Sequence, residues 1–229
     1  MLKIEKTVLP SPEQWQIVIE GMRNPLNSWG RMDSIICPAS GKFEDCKKSG
    51  ICPRKDDDFV ADQICFGTAD LSLMERLAAA GSEHAKYRRM LPVWVTITAP
   101  RYWLVELDTY KVGTVSNSCS TMHKIAAKEF ALDDFSAEHL REAERDVLDV
   151  VIDALNFARY EYLRTKDKRY WWQMIQLLPQ SYNQRRTLML NYEVLATIYR
   201  QRKDHKLTEW HTFCEWIETL PYAELIVGR

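Results

Sequence analysis

The sequence predicts an α+β fold, in which a small number of strands is followed by a largely helical second half. The clearest strand lies near the middle of the chain, where Val93, Val95 and Ile97 alternate with other β-branched or aromatic residues. From about residue 136 onwards, apolar residues recur instead at intervals of three and four, the spacing of one helix face. At 229 residues the chain can bury a large core, and we expect a single domain spanning 1–229.

The composition of the chain argues against charge-driven nucleic-acid binding and against membrane or secretory segments. The chain has 31 Lys and Arg against 32 Asp and Glu, which argues against a protein that holds nucleic acid mainly by neutralising phosphates. It has no run of eighteen apolar residues and no basic-then-apolar leader, so we expect neither a membrane span nor a secretory signal. We therefore expect a cytoplasmic protein whose cysteines are reduced.

The cysteines lie mostly in an irregular excursion at about 24–65, which lacks sustained periodicity. The spacing of Cys37, Cys46, Cys52 and Cys65 lacks the two short C-x2-C pairs that are typical of a zinc site. We therefore predict no metal site, and a metal at these four cysteines remains the alternative.

Before and after the excursion, the elements can be placed in order. Residues 2–9 suit a short strand, and Ser11 caps a helix that ends near residues 21–25. After the excursion, Asp70 can cap a helix that ends near Ala80, and Gly81 follows it.

The second half predicts four helices. Ser136 caps the first, which runs to about residue 163 with an apolar face made of Leu140, Ala143, Val147, Val150, Val151, Ala154 and Ala158. The second ends at Pro179 and carries a predicted core cluster at 170–172. A capping box at 181–184 opens the third, which reaches about 203 and places Asn191 and Arg202 on one face, about 16 Å apart. The last, at 208–219, turns Trp210, Phe213 and Ile217 inward.

The stretch from 91 to 124 is the strongest candidate for a ligand site. After the central strand, many hydrogen-bonding side chains fall within eighteen residues: Glu106, Asp108, Lys111, Ser116, Asn117, Ser118, Cys119, Ser120 and His123. Such a density beside a buried strand is typical of a binding site. A solvated connection between elements is the alternative.

The order of these features resembles the flavin-dependent thymidylate synthases. A turn at 81–89, GSEHAKYRR, precedes the central strand, as a similar histidine-containing turn does in that family. Residues 109–111 and Ser120 stand where the family has its Arg-His-Arg triplet and following serine. Leu178-Pro179 is followed after twelve residues by Asn191 and after eleven more by Arg202, which keeps both family spacings. The resemblance covers roughly residues 70–220.

The resemblance implies a helix-flanked antiparallel sheet in a homotetramer, with active sites shared between subunits. It also implies reductive methylation of the pyrimidine nucleotide dUMP, with FAD as cofactor and NADPH and methylenetetrahydrofolate as co-substrates. Arg202 would be catalytic and bind the uracil, and His84, Lys111 and Asn191 would face the flavin. Asn117, Ser118 and Ser120 would contact the nucleotide.

This chain departs from the family pattern where cations are expected. Thr109 and Tyr110 replace an arginine and a histidine of the triplet, and Met122 and Ile175 stand at two further arginine positions. A threonine or tyrosine cannot replace the charge-assisted bonds of a guanidinium to phosphate. Candidate substitutes are Arg101, Lys124, Arg185 and Arg186. The alternative is therefore a catalytically altered or inactive protein that binds a nucleotide or another partner on the same scaffold.

Overall fold

The computed structural model describes residues 1–36 and 64–228. By their internal contacts the residues divide into two compact units, each of which we describe separately. The first comprises Met1–Thr7, Val95–Leu188 and Arg202–Glu215, and the second comprises Val8–Trp94, Met189–Gln201 and Trp216–Arg229. In the described part of the chain, no helix has both the length and the apolar character that crossing a membrane requires.

The described residues contain both strands and helices. The strands are β1 (Lys3–Val8), β2 (Ile35–Ile36), β3 (Ile64–Cys65), β4 (Pro92–Pro100), β5 (Val115–Ser118) and β6 (Asn183–Asn191). The helices are α1 (Pro12–Arg23), α2 (Thr68–Ala79), α3 (Lys86–Arg89), α4 (Arg101–Leu107), α5 (Glu142–Thr165), α6 (Lys168–Leu177), α7 (Tyr192–Arg202), α8 (Thr208–Glu218) and α9 (Glu224–Val227).

The main sheet has the strand order β1-β4-β6-β5 and is antiparallel. The alternation predicted for β4 is confirmed, because Val93, Val95 and Ile97 are fully buried whereas Trp94 is exposed. The hydroxyls of Thr96 and Thr187 lie 3.0 Å apart and link β4 to β6. With the helices around it, this sheet confirms the α+β class.

Strand β6 corrects the prediction of a single helix from about 181 to 203. Residues 183–191 are extended, and the helix begins only at Tyr192. The amide of Gln184 donates to the carbonyl of Cys119 (2.7 Å) instead of capping a helix. Asn191 ends the strand and accepts the backbone N–H of Val194 (3.0 Å), so it caps α7 and does not share a helix face with Arg202. Hydrogen bonds to neighbouring strands override the local capping pattern.

Helix α5 begins at Glu142, six residues later than the predicted Ser136 cap. The hydroxyl of Ser136 donates to the side-chain carbonyl of Asn183 (2.9 Å), so it is used outside the helix. The core face of α5 is formed by Leu148, Ile152, Leu155 and Ala158.

The predicted apolar face of α5 is therefore wrong at four positions: Ala143, Val147, Val150 and Ala154 are exposed. The helix carries apolar residues on two opposite faces, and periodicity alone does not say which of them is buried. The predicted core cluster at 170–172 is wrong for Trp172, which is 51% exposed, whereas Trp171 packs against the core and donates its ring N–H to the carbonyl of Met122 at 2.9 Å. Met174 fills the core position of α6 instead.

In the second unit, α1 confirms the predicted cap, since Ser11 and Gln14 form a reciprocal capping box. Strands β2 and β3 pair antiparallel, with Ile35 opposite Cys65. Cys37, Cys46 and Cys52 lie outside the described residues. Among the described ones, no group of three or more potential ligands could hold a metal ion.

Asp70 has a different place from the predicted helix cap. It lies within the first turn of α2, after the N-cap Gly67, and is fully buried. Its carboxylate accepts Arg23 Nε (2.6 Å) and the backbone N–H groups of Asp33 (3.0 Å) and Ser34 (2.8 Å). Burial opposes ionisation, but the hydrogen bonds from Ser34, Arg23 and the backbone outweigh it and hold the pKa of Asp70 below its ordinary value.

We predict that Asp70→Asn lowers the free energy of unfolding at pH 7 by about 3–5 kcal/mol, because it leaves Arg23 buried without its counter-charge. A depressed folded-state pKa stabilises the fold above the ordinary carboxyl pKa of about 4, and this contribution is lost as the pH falls below that value. Urea unfolding between neutral and acidic pH should therefore show a weaker acid destabilisation in the variant. The exposed Asp133→Asn is the matched control, and equal pH slopes in wild type and Asp70→Asn would contradict the prediction.

Candidate functional site

The first unit gathers polar side chains around the carboxylate of Glu106, which lies on α4 close to its C-terminal end. One oxygen, Oε2, accepts both Arg202 Nη1 and the ring N–H of Trp210, each at 2.9 Å. Nε2 of His205 lies 3.5 Å from the same oxygen. We call these residues, together with Tyr110, the Glu106 cluster.

The proton position on His205 follows from its second ring nitrogen. Nδ1 accepts the backbone N–H of Leu207 at 3.2 Å, so it carries a lone pair. In the neutral ring the proton therefore sits on Nε2, which faces Glu106. The histidine thus presents an N–H to the carboxylate without needing to be charged.

Arg202 is held on several sides within the cluster. Its Nε donates to the hydroxyl of Tyr110 (2.8 Å), and its guanidinium carbon lies 4.9 Å from the ring centre of Trp210 and 5.6 Å from that of Tyr110. Aromatic faces at these distances attract the cation. The side chain keeps 20% exposure, and within the described residues Nη2 has no hydrogen-bond partner. Nε and Nη1 are thus engaged within the cluster, and the donors of Nη2 are left over for a further partner.

A small open cavity of about 130 Å³ adjoins the cluster through Tyr110. Its other lining residues are Leu107, Asp108, Lys111, Thr114, Ser116 and Leu188. The hydroxyl oxygen of Thr114 is buried and has no partner among the described residues. The lining combines the exposed ammonium of Lys111 and three hydroxyls with the carboxylate of Asp108, which pairs with Arg186, and it can receive a small polar group.

The structure brings together only some of the predicted site residues. Tyr110 contacts Arg202 and also lines the cavity together with Lys111. The predicted site residues Arg202 and Lys111 therefore lie in one region of the first unit. Asn117 and Ser118 are exposed on β5. Ser120 is exposed as well, and its hydroxyl accepts the backbone N–H of His123 at 2.9 Å within its own turn.

His84 and Asn191 belong to the second unit. The side chain of His84 is 56% exposed, with Glu83 4.0 Å away. Asn191 is 8% exposed, and its side-chain oxygen caps α7. Their predicted contacts to a flavin remain a prediction.

Two of the four candidate replacement cations are paired with carboxylates. Arg186 pairs with Asp108 at 2.6 Å, and Arg185 pairs with Glu5 at 2.8 Å. Hydrogen bonds from Thr98 and Arg185 hold the pKa of Glu5 below its ordinary value, so this carboxylate is firmly ionised. Arg101 is half-buried and Lys124 is exposed.

The triplet positions do not fit a flavin held through charged contacts to its phosphates. Thr109 donates its hydroxyl to the carbonyl of Glu106 at 2.7 Å, and Tyr110 accepts from Arg202. Lys111 is the cation that the triplet retains. A pyrophosphate would thus meet one ammonium where the family pattern offers two guanidinium groups.

Sequence reasoning missed the partners of Arg202. The sequence showed Glu106 only as one of many polar residues in the stretch from 91 to 124. The prediction that Trp210 is buried is confirmed, but the sequence did not indicate its contact with Glu106. No motif or spacing in the sequence indicated that His205 belongs to a site. Because Glu106 and Arg202 are 96 residues apart in sequence, no local pattern could have paired them.

Comparison with known proteins identifies the fold. No family model and no curated protein matches the sequence. Two crystal structures of the flavin-dependent thymidylate synthase ThyX from Helicobacter pylori, with FAD and dUMP, are similar at a TM-score of 0.62 and 16% identity. The match covers 99% of this chain and 97% of that one.

A second kind of protein shares the architecture. The UMP/dUMP methylase PolB from Streptomyces cacaoi, bound with 5-Br dUMP, is similar at a TM-score of 0.51 and 13% identity, over 96% of this chain and 88% of that one. At such identities the likeness concerns the fold alone. The chain has a ThyX-like fold, and the fold expected from the resemblance is confirmed.

We predict that Glu106→Gln lowers the free energy of unfolding by about 1–3 kcal/mol, because it leaves the Arg202 charge without its counter-ion. The environment of Trp210 should change as well, which intrinsic fluorescence of the folded variant can detect. Urea unfolding measures the first effect.

Glu144→Gln provides the matched control, because Glu144 pairs with Arg141 on the surface, where ion pairs contribute little. Equal losses in the two variants would contradict a special role for Glu106.

Proposed function

We propose that this protein binds a pyrimidine nucleotide beside Arg202, in its first unit. The observation that carries the proposal is the open Nη2 edge of Arg202, fixed by Glu106 and Tyr110 on a ThyX-like fold. Proteins of two kinds with this fold were crystallised with dUMP or 5-Br dUMP.

The chemistry of the side chains suits such a ligand. Guanidinium N–H groups donate to a carbonyl oxygen, and uracil carries two of them. The ammonium of Lys111 would attract a phosphate, and the hydroxyls of Thr114 and Ser116 can donate to its oxygens. Glu106 would act as a positioning residue, since it orients Arg202 and does not itself face the ligand.

The proposal includes assembly of several copies. The cavity of about 130 Å³ is smaller than the 300–1,000 Å³ that is usual for small-molecule sites. A homotetramer with active sites shared between subunits, as the family resemblance implies, would supply further walls. Asn117, Ser118 and Ser120, which are exposed on and after β5, would then be available to line the site.

A second candidate function is reductive methylation of dUMP with FAD, NADPH and methylenetetrahydrofolate. The fold favours it, because the Helicobacter pylori structures contain both FAD and dUMP. The residues at 109–111 favour the first candidate, a nucleotide-binding or altered protein without flavin, since they lack the expected guanidinium groups. If flavin were bound, it would carry the redox chemistry, and Lys111, His84 and Asn191 would be the residues to test as its contacts.

We expect dUMP to bind in calorimetric titration, and we expect Arg202→Ala to weaken it about 10- to 100-fold through the loss of charged hydrogen bonds. Arg76→Ala is the matched control, because Arg76 lies exposed on α2 in the second unit. Absence of dUMP and UMP binding to a folded, oligomeric protein would refute the proposal.

We further expect purified protein to lack flavin absorbance and to take up no FAD on reconstitution, because only one cation remains at the triplet. Absorbance between 350 and 500 nm, which is about where oxidised flavins absorb, measures this directly. A yellow preparation with stoichiometric FAD would instead support the methylation candidate.

A further inference from the structure

Asp108 places a carboxylate in the lining of the cavity of about 130 Å³ that adjoins Tyr110. Its Oδ1 accepts Nη1 of Arg186 at 2.6 Å, whereas its Oδ2 has no hydrogen-bond partner among the described residues. The side chain of Asp108 is 50% exposed, and that of Arg186 is 13% exposed. The first unit therefore offers an oriented carboxylate with an unused oxygen beside the cavity.

The partner of Asp108 is itself held in place. Nε of Arg186 donates to Oε1 of Gln184 at 3.1 Å, and the amide of Gln184 donates to the carbonyl of Cys119 at 2.7 Å. Gln184 is buried, so this chain of hydrogen bonds starts inside the protein and ends at the cavity. A side chain that is ordered beforehand loses less entropy when a ligand binds. Asp108 is therefore prepared to recognise a ligand group.

The cavity can receive only one part of a nucleotide. Its volume of about 130 Å³ compares with about 300–1,000 Å³ for usual small-molecule sites. Tyr110 contacts Arg202 and also lines the cavity, so a ligand whose base lies at Arg202 reaches the cavity with the adjoining part, its sugar. This placement of the base rests on the proposed function.

The lining suits a sugar better than a phosphate. Leu107 and Leu188 contribute buried apolar side chains, which can pack against the carbon atoms of a furanose ring. A carboxylate repels a phosphate, but it accepts hydrogen bonds from sugar hydroxyls. Lys111 is exposed and has a long side chain, so its ammonium remains available to a phosphate outside the cavity.

We propose that Asp108 gives this protein a preference for the ribonucleotide UMP over dUMP, because its unused oxygen accepts a hydrogen bond from the 2′-hydroxyl that dUMP lacks. Acidic side chains recognise the same ribose hydroxyl in dinucleotide-binding proteins, and this hydroxyl distinguishes RNA from DNA nucleotides. Arg202 then recognises the base and Asp108 recognises the sugar. Asp108 is a specificity-determining residue and takes part in no bond-making step.

Calorimetric titration of the wild type with UMP and dUMP, in the same buffer, tests the preference. We expect UMP to bind about tenfold more tightly, the effect of one hydrogen bond to a charged group that stays half-exposed. The arabinose epimer of UMP carries its 2′-hydroxyl on the opposite face of the sugar and should bind as dUMP does. Equal affinities for UMP and dUMP would overturn this inference and leave the proposed function intact, whereas binding of neither would refute both.

Asp108→Ala tests the residue itself through the ratio of the two affinities. We expect the preference for UMP to disappear, so that the ratio falls to about one. The ratio is the informative quantity, because the release of Arg186 changes the affinity for both phosphates alike. If Asp108→Ala kept the tenfold preference of the wild type, the assignment would be wrong.

Two further variants separate the sugar from the base and from general charge effects. Arg202→Ala should weaken UMP and dUMP by the same factor and keep the preference, since it acts on the base. Asp133→Ala is the matched control, because it removes an exposed aspartate of the first unit that does not line the cavity, and it should change neither affinity. A loss of the preference in Asp133→Ala would overturn the assignment to Asp108. Circular dichroism checks the folding of each variant.

Discussion

The carboxylate of Glu106 is the constraint on which the candidate site depends. A partly buried acid must be compensated, and here one oxygen meets Arg202, Trp210 and the N–H of His205. The same contacts orient the guanidinium of Arg202 beside two aromatic rings and leave Nη2 without a hydrogen-bond partner among the described residues. A flexible surface arginine would lose side-chain entropy on binding a ligand, whereas this one is already ordered. The direction in which Arg202 presents its donors is therefore a property of Glu106 and Tyr110.

Because the arginines around the site are already paired with carboxylates, we expect a lower affinity for anions than at a typical phosphate site. Arg185 and Arg186, which the sequence offers as replacement cations, are bound to Glu5 and Asp108. A guanidinium that is already paired must break that pair before it can bind phosphate, and this reduces the net gain. Lys111 is exposed at the cavity and is the one cation among residues 109–111. A ligand recognised by hydrogen bonds to its base, with a modest electrostatic contribution, fits this distribution of charge better than a pyrophosphate does.

Helix α5 carries apolar residues on two opposite faces, and its own chain buries one of them. Its core face packs with α6 around Leu155 and Met174, and the exposed residues Val147, Val150 and Phe157 repeat the apolar pattern on the opposite side. Its periodicity therefore offers two candidate core faces, and packing against α6 decides which of them is buried.

The sequence by itself determined those features that depend on neighbouring residues. The alternation in β4, the Ser11 capping box, the inward face of α8 and the boundary of α6 before Pro179 all follow from side chains within a few positions of each other. The spacing of Leu178-Pro179, Asn191 and Arg202 also indicated the correct fold, because it preserves the order of elements in a known family. Tertiary structure decided the rest: residues 183–191 form a strand, the core face of α5 is the buried one, and Arg202 pairs with Glu106. Each of these outcomes depends on groups far away in sequence, whose hydrogen bonds and exclusion of water outweigh local preference, and a local pattern contains no information about them.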